Sequence, residues 1–152
     1  MSGTMADLIA RLEAFKTAFP ERARQRVEEM GDLLVEDLKA AAPKGKGPGP
    51  HLANSFTRTP AWARSASSFG VAITCSQGQK LRWILGGTGV YAGRGRIYPK
   101  RAQALYWPGA PHPYRSIAGM RANDFLTPAM QRWRQALPPE FSLLAHDAAE
   151  LL

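Results

Sequence analysis

Few residues of this sequence have the types and spacing that catalysis requires. Ser55, His112 and Asp124 together offer the side chains of a hydrolytic triad, but the serine lacks the glycine-flanked turn that exposes a nucleophile. The stretch 43–122 contains no aspartate or glutamate, so it cannot supply the paired carboxylates of acid–base hydrolysis. We therefore expect no catalytic residues and no enzymatic activity.

The cysteine and the histidines do not have the pattern of a metal or redox site. Cys75 is the single cysteine, which excludes an intramolecular disulfide, and it lies in the strand-like segment VAITC. The role of a buried small hydrophobic residue suits it better than that of a nucleophile. His51, His112 and His146 include no pair at the spacing of a helical metal site. We expect neither a metal nor a cofactor.

A glycine cluster follows the apolar segment LRWIL. It consists of Gly86, Gly87, Thr88 and Gly89. A nucleotide-binding loop would require a following helix and the spacing of the dinucleotide fingerprint, and the sequence predicts neither. Glycine permits a positive φ and a close approach of two backbones, so we interpret the cluster as a structural turn.

Charge is distributed very unevenly along the chain. The net charge is +8, yet residues 43–122 carry twelve basic and no acidic side chains, and both flanking regions have a net charge of −2. A surface of one sign attracts polyanions or an acidic protein face. A solvated basic face without a dedicated partner is the alternative interpretation. The basic residues that we expect in loops facing a partner or DNA are Lys44, Lys46, Arg94, Arg96, Lys100 and Arg101.

Helical periodicity dominates the first part of the chain, residues 1–42. Thr4 and Asp7 have the pattern of a capping box, and apolar residues then recur at helical spacing. Pro20 is expected to end one helix and to begin a second, since proline suits a first helical turn. The proline- and glycine-rich stretch that follows predicts a flexible loop over residues 43–51.

An alternation of apolar and polar residues then predicts an antiparallel sheet over residues 52–118. About four strands are expected, at SFTRTPAW, FGVAITCS, LRWILGG and Ala104–Trp107. Polar turns are expected at Ala63–Ser68 and Gln77–Lys80, and Tyr114–Ile117 has the pattern of a further short strand.

Another helix is predicted over residues 123–137. Asn123 or Thr127 can cap its first turn, and Pro138–Pro139 is expected to end it. Residues 138–152 then form a C-terminal extension with the pattern of a short helix.

Together these patterns predict a single α+β domain, residues 1–152, with N-terminal helices and a C-terminal helix packed on a small antiparallel sheet with long glycine-rich loops. No apolar run is long enough to span a membrane, and no signal-peptide pattern is present. We therefore expect a soluble intracellular protein without a membrane partner. The predicted core residues are Leu34, Leu38, Ile73, Trp83, Leu85, Leu105, Phe125, Leu126 and Met130.

Basic and aromatic residues are interleaved in the segment GRGRIYPKRAQALYW. Proteins that bind single-stranded nucleic acid combine stacking aromatics with such cations. Tyr98, Tyr106 and Trp107 occupy positions where strand residues pack, so we expect them to contribute to the core. The cations can still contact DNA phosphates without reading sequence.

Four motifs occur in the same order as in a family of phage proteins. AAAPKGKGPGPHLANSF is similar to that family's alanine–proline, glycine, leucine and serine junction, and WILGGTGVY resembles its strand ending in Gly-Thr-Gly. IYPKRAQALYW resembles its proline–lysine and alanine–leucine strand, and GMRANDFLTPAM resembles its closing helix entry. The family is the tail-completion, or head–tail joining, group of minor structural proteins of long-tailed bacteriophages and prophages. The resemblance covers about residues 25–135.

The resemblance implies a non-enzymatic α+β subunit that acts by assembly. It implies a homo-oligomeric ring, a hexamer, in the neck of the virion, where the head connector meets the tail tube. Such a ring completes the tail, docks on connector or stopper and tail-tube proteins, and leaves a bore for DNA with at most non-specific contact with the genome. The protein would be assembled into the virion in the host bacterial cytoplasm.

Two other classes of protein remain as alternatives. A small basic nucleic-acid-binding protein would bind DNA with an affinity that falls steeply with salt. An enzyme would need a pocket with convergent polar groups, which the carboxylate-free stretch argues against.

Overall fold

The protein has an α+β fold in the computed structural model, which describes residues 4–45, 51–65, 68–107 and 110–150. The regular structure of these residues comprises three α-helices, two short 3-10 helices (Leu52–Ser55 and Gly89–Ala92) and four short strands, which form two pairs. This confirms the predicted fold class. No helix within these ranges is both long enough and apolar enough to cross a membrane.

The residues group into two compact units, each assembled from separate parts of the chain. The first unit contains Met1–Asp37, Thr57–Thr74 and Ala129–Leu152, and the second contains Leu38–Phe56 and Cys75–Pro128. By sequence the first unit has nine lysines or arginines and eleven acidic residues. The second unit has eleven lysines or arginines and one acidic residue. We call them the mixed-charge unit and the basic unit. The single domain expected for the whole chain stays a prediction.

Helix α1 extends from Met5 to Ala41 without interruption. The predicted break at Pro20 is therefore wrong, and one helix replaces two. Proline in a helix interior costs about 3 kcal/mol because it lacks the N–H that would bond the carbonyl four residues earlier. That carbonyl belongs to Lys16, which is exposed, so water can bond it. The φ angle of proline is itself helical, and strong helix formers lie on both sides.

The first turn of α1 contains the predicted capping box. Thr4 N donates to Asp7 Oδ2 at 2.8 Å, and Asp7 N donates to Thr4 Oγ1 at 3.3 Å. Thr4 Oγ1 in turn donates to Asp7 Oδ2 at 2.8 Å. The pKa of Asp7 lies below its ordinary value of 3.8, first because of the bond from the Thr4 hydroxyl and then because of the bond from the Thr4 amide.

We expect the first turn of α1 to be sensitive to acid. Because the folded-state pKa of Asp7 is lowered, the cap stabilises the helix above the ordinary pKa, and this contribution is lost as the pH falls through the folded value. An NMR titration of Asp7 should give a midpoint below 3.8, with faster exchange of the Thr4 amide over the same pH range. Asp7→Asn should remove this pH dependence. A midpoint at or above the ordinary value would contradict the assignment.

The strands lie between Phe56 and Cys75 and are shorter than predicted. β1 (Phe56–Arg58) pairs with β4 (Ile73–Cys75), and β2 (Trp62–Ser65) pairs antiparallel with β3 (Ser68–Gly70). The predicted strands SFTRTPAW and FGVAITCS are therefore each divided in two. In the first of them Pro60, which has no N–H for a sheet ladder, lies at the division.

The loop between β2 and β3 is shorter than the predicted turn Ala63–Ser68, because both strands extend into that range. Residues 66 and 67, between the strands, lie outside the described residues. Beside β1 and β4, Thr59 N donates to Ala72 O at 2.9 Å. The Thr57 and Thr74 hydroxyls are 3.0 Å apart. Between these two pairs the residue number rises by two on one side and falls by two on the other, as an antiparallel register requires.

Side chains connect α1 to its neighbours within the mixed-charge unit. Arg58 Nε donates to Asp32 Oδ1 at 2.6 Å, and Glu28 Oε1 accepts from Ala61 N at 2.9 Å. Trp133 Nε1 donates to the Met30 carbonyl at 2.9 Å. These bonds fasten β1, the following loop and the last helix to α1.

Helix α2 spans Gly78–Gly86, where the sequence predicts the end of a turn and a third strand. That strand prediction is wrong. Leu81, Ile84 and Leu85 have the i, i+3, i+4 spacing of one helix face, and Ile84 is buried while the other two are half-buried. Trp83 falls on the opposite face and is 50% exposed, so its assignment to the core is also wrong.

The chain after α2 forms isolated bridges in place of further strands. The strand predicted at Ala104–Trp107 is reduced to one bridge, between Leu105 and Tyr114, and a second bridge joins Ile97 to Ile117. Tyr114 and Ile117, expected at the ends of one short strand, thus belong to separate bridges. The many prolines around these residues lack the N–H groups that would extend the pairing.

Helix α3 begins at Leu126, and its cap is Asp124, not Asn123 or Thr127. Asp124 Oδ1 accepts a hydrogen bond from Thr127 N at 3.1 Å. The pKa of Asp124 is lowered, first by hydrogen bonding with the Thr127 side chain and then with its backbone. Pro128 is consequently the third helical residue.

Helix α3 continues through Pro138–Pro139 and ends at Glu150. The predicted helix end at these prolines is wrong, and residues 138–150 belong to the same helix and not to a separate extension. The carbonyls that lose a helical partner belong to Arg134 and Gln135. Both residues are exposed, so water can bond these carbonyls.

Burial follows the predicted core only in part. Of the predicted residues, Leu34, Leu38 and Phe125 are buried. The half-buried ones are Ile73, Leu85, Leu105, Leu126 and Met130. The sequence analysis missed Leu52, the largest fully buried side chain, and Phe56, whose ring meets that of Phe125 edge-on with centroids 6.3 Å apart.

Candidate functional site

The basic residues expected to face a partner belong to the basic unit. Those that the structure shows as exposed and without an assigned role in the fold are Lys44, Arg94, Lys100 and Arg101. Arg96 is also exposed, but its Nε donates to Ser116 Oγ at 2.9 Å, so it braces the neighbouring segment. Lys46 lies outside the described residues.

The glycine cluster joins α2 to a backbone ladder. Gly87 and Gly89 have positive φ values of 70° and 62°, and Thr88 N donates to the Met120 carbonyl at 2.8 Å. Thr88 Oγ1 accepts from Met120 N, also at 2.8 Å. Gly86 is the last residue of α2. The cluster therefore holds the segment around Met120 against the end of α2.

Three aromatic side chains expected in the core are exposed instead. Tyr98, Tyr106 and Trp107 are 63%, 67% and 43% exposed. They lie in a stretch whose described residues form single bridges and no strand, so it has no continuous pleated face against which to bury aromatics. The Trp107 ring stacks on that of Tyr114 with centroids 5.4 Å apart. The basic unit thus presents exposed aromatics and exposed cations from the same stretch of chain.

A groove of about 900 Å³ lies within the basic unit. Residues from three distant parts of the sequence line it, and among them are Lys44, Lys80, Trp83, Ile84, Met120 and Arg121. We call it the Trp83 groove. Trp83 and Met120 are exposed there, so the groove combines apolar surface with three cationic side chains.

The sequence analysis missed the Trp83 groove. The helical spacing of Leu81, Ile84 and Leu85 was the available signal that Trp83 faces away from the core. No local pattern indicates that Met120 and Arg121 lie near it. Their placement follows from the Thr88 bonds and from the bond that Asn123 N donates to the Ile84 carbonyl at 2.8 Å.

The mixed-charge unit also exposes apolar surface. Leu8, Ile9 and Leu12 form one stripe along the first turns of α1, and each is about half exposed. A soluble helix normally buries such a stripe against another element. In α3, Phe141 and Leu143 are exposed as well.

The polar residues that sequence alone could group into a triad have other roles. Ser55 Oγ donates to the Leu52 carbonyl at 2.6 Å and lies 3.1 Å from the half-buried Cys75 Sγ. The His112 ring contacts that of Tyr114 at 4.3 Å, and Asp124 caps α3. Within the described part of the chain, no three histidine, cysteine or acidic residues cluster in a way that could hold a metal ion.

What these surfaces can do chemically is bind other molecules. The cations suit an acidic or phosphate-bearing partner, and the exposed aromatics and aliphatics suit an apolar one. Comparisons of the sequence with protein-family models, and with curated proteins and solved structures, give no match. The function is therefore argued from these surfaces and from the motifs of the sequence.

Proposed function

We propose that the protein is a non-enzymatic structural protein of the phage neck. It completes the tail and joins it to the head connector as a homo-oligomeric ring around a bore for DNA. A hexamer is the stoichiometry that the resemblance implies. The partners are other copies of the chain, the connector or stopper, and the tail tube, and the protein resides in the virion after assembly in the host bacterial cytoplasm.

The observation that carries the proposal is the amount of apolar surface that a single copy leaves exposed. Among the residues that the structure describes, fifteen large hydrophobic side chains are exposed, and they occur in both units. Scattered single residues need no explanation, but a stripe along α1 and an apolar groove indicate contact surfaces. A subunit of a multi-partner assembly requires several such surfaces.

The placement of the recognised motifs adds support. WILGGTGVY contributes Thr88, which bonds to Met120 of GMRANDFLTPAM. IYPKRAQALYW contributes Ile97, which bridges Ile117 just before that last motif. Two of these motifs are thus bonded to each other in the basic unit, and the third is bridged to the residues just before GMRANDFLTPAM.

The two units have the charges that a repeating contact needs. The basic unit has a large positive charge by sequence, and the mixed-charge unit a slightly negative one. A contact between unlike surfaces of adjacent copies repeats around a ring and closes it when the rotation allows. Unlike charges favour that contact over the contact of two identical basic faces.

The second candidate function is the binding of single-stranded nucleic acid. The sequence pattern favoured core positions for Tyr98, Tyr106 and Trp107, but the structure shows them exposed. This supports nucleic-acid binding, because base stacking requires accessible rings. The same rings and cations also suit an apolar, acidic protein surface. The proposed assembly function also explains the exposed apolar stripe of α1, which has no role in binding nucleic acid.

We expect the triple variant Arg94→Ser, Lys100→Ser, Arg101→Ser to fold normally but to impair the joining of heads to tails. The three side chains are exposed, and such substitutions usually change the free energy of unfolding by no more than about 0.5 kcal/mol each. A loss of about 1.4 kcal/mol at the joining interface would weaken its affinity about tenfold, and the infectious titre should fall with it. Electron microscopy should show unjoined heads and tails.

The matched control removes three exposed cations from the mixed-charge unit: Arg64→Ser, Arg132→Ser, Arg134→Ser. It changes net charge equally and should leave the titre near that of the wild type. Normal joining by the first variant, combined with lost DNA affinity, would favour the nucleic-acid function instead.

A further inference from the structure

The Trp83 groove is positively charged as well as apolar. Lys44, Lys80 and Arg121 line it, and Asp124 is the one acidic residue among its described lining residues. The Asp124 carboxylate accepts the Thr127 amide bond at the start of α3, so it is already engaged. An occupant that offers apolar side chains flanked by carboxylates would complement the groove.

The last turns of α3 have that chemistry. Residues 138–150 contain three acidic residues and no lysine or arginine. Phe141 is 56% exposed, so this part of the helix offers a large apolar side chain to a partner. Leu143 is also exposed, but it lines a second groove together with Leu33 of α1. An exposed helix segment is convex and suits insertion into a groove.

We propose that the Trp83 groove of one copy binds the C-terminal part of α3, residues 138–150, of a second copy. The proposal rests on the ring assembly proposed above and names the contact that builds it. Phe141 enters between Trp83 and Met120, and the negative net charge of the segment complements the cationic lining. Aromatic side chains buried in a pocket are the usual anchors of an interface.

Other apolar surfaces of the chain fit the groove less well. The apolar stripe of α1 lies in a segment, residues 5–19, with two acidic and two basic residues, so it has no charge complementarity with the groove. The groove of about 330 Å³ that Glu29, Leu33 and Glu36 form with Leu143 of α3 is acidic, but it is concave and cannot fill another groove.

The contact would be heterologous, since groove and helix end are different surfaces of each copy. Each copy then has one groove to offer and one helix end to insert, and the contact repeats from copy to copy. This predicts a specific behaviour of mixtures. A copy with a defective groove and a copy with a defective helix end can still form one contact with each other.

The experiment uses two full-length variants. The groove variant is Lys44→Glu, Arg121→Glu, and the helix-end variant is Phe141→Lys. Each should need at least about tenfold more protein than the wild type to assemble, as measured by light scattering and analytical ultracentrifugation. An equimolar mixture of the two should form a dimer and nothing larger.

Exposed positions make suitable controls. Arg64→Glu reverses an exposed charge outside the groove, and Gln131→Lys adds a lysine at an exposed position of α3 outside residues 138–150. Both should assemble like the wild type, and circular dichroism should show unchanged melting for all four variants. The Arg121 guanidinium carbon also lies 5.4 Å from the centre of the Tyr91 ring, so Arg121→Glu removes that contact as well. The single variant Lys44→Glu changes the charge of the groove and leaves the contact with Tyr91 intact.

Three results would overturn the inference. Wild-type assembly by either the groove variant or the helix-end variant would show that the proposed groove-to-helix contact does not build the assembly. A mixture that stays monomeric would exclude a groove-to-helix contact between copies. Loss of tail-tube binding by the groove variant, with unchanged self-assembly, would assign the groove to that partner. In each case the neck function would still stand if particles lacking the chain remain unjoined.

Discussion

Gly89→Ala is expected to destabilise the protein by about 2–4 kcal/mol. Gly89 is buried with a φ of 62°, and an added Cβ would overlap the Ala118 carbonyl oxygen. That oxygen accepts the Val90 amide at 2.8 Å, so the backbone cannot move away without breaking the bond. Chemical denaturation monitored by circular dichroism measures the effect.

Gly93→Ala is the matched control for Gly89→Ala. Gly93 has a φ of 70°, nearly the same conformation, but an added Cβ would meet no atom within 4 Å. Only the left-handed backbone penalty of about 1–2 kcal/mol should then remain. Equal losses for the two variants would show that the close approach of Gly89 to Ala118 does not contribute to stability.

Phe125→Ala is expected to cost about 3–5 kcal/mol in the free energy of unfolding. The side chain is buried in the basic unit, where its ring meets that of Phe56 at 6.3 Å with an interplanar angle of 71°. Truncation removes apolar burial, leaves a cavity and abolishes the edge-to-face pair. The measurement is again denaturant unfolding, with assembly followed by light scattering.

Phe125→Leu separates these contributions because it keeps most of the volume. It should cost clearly less than the alanine variant, and a double-mutant cycle with Phe56→Leu should give a coupling of about 0.5–1.5 kcal/mol. Independent effects at the two positions would contradict the ring contact. Assembly should be lost with Phe125→Ala only where unfolding is also detected, since this residue lies in the core.

The sequence predicted the helices where the periodicity is long and the cap is local. Thr4 and Asp7 lie three residues apart, so their capping box could be recognised without any tertiary information. Pro20 and Pro138–Pro139 were mistaken for helix ends. Their effect depends on whether solvent reaches the carbonyls that they leave unpaired, which the local sequence does not show.

The segment LRWIL illustrates why short apolar runs are ambiguous. Five consecutive residues fit a buried strand as well as a helix, and length does not decide between them. The structure places Ile84 in the interior and Trp83 at the surface, which is the helical solution. The exposed aromatics Tyr98 and Tyr106 were misassigned for a related reason, because the strand expected to bury them does not form.

The candidate site was the least predictable part of the molecule. Individual cations such as Lys44 and Arg94 could be identified from the sequence, because they lie in glycine-rich stretches. The Trp83 groove could not be, because it combines α2 with residues 43–45 and 120–124. Bonds between residues more than thirty positions apart create it.

The most direct test of the proposed assembly function is the mass of the protein in solution, measured by light scattering over a wide concentration range. A DNA-shift assay on the same sample at moderate salt completes it. Our account predicts conversion of the monomer to one discrete ring, or co-assembly with tail tubes, with little affinity for DNA. A monomer at every concentration that binds DNA tightly, and releases it steeply with salt, would contradict the account.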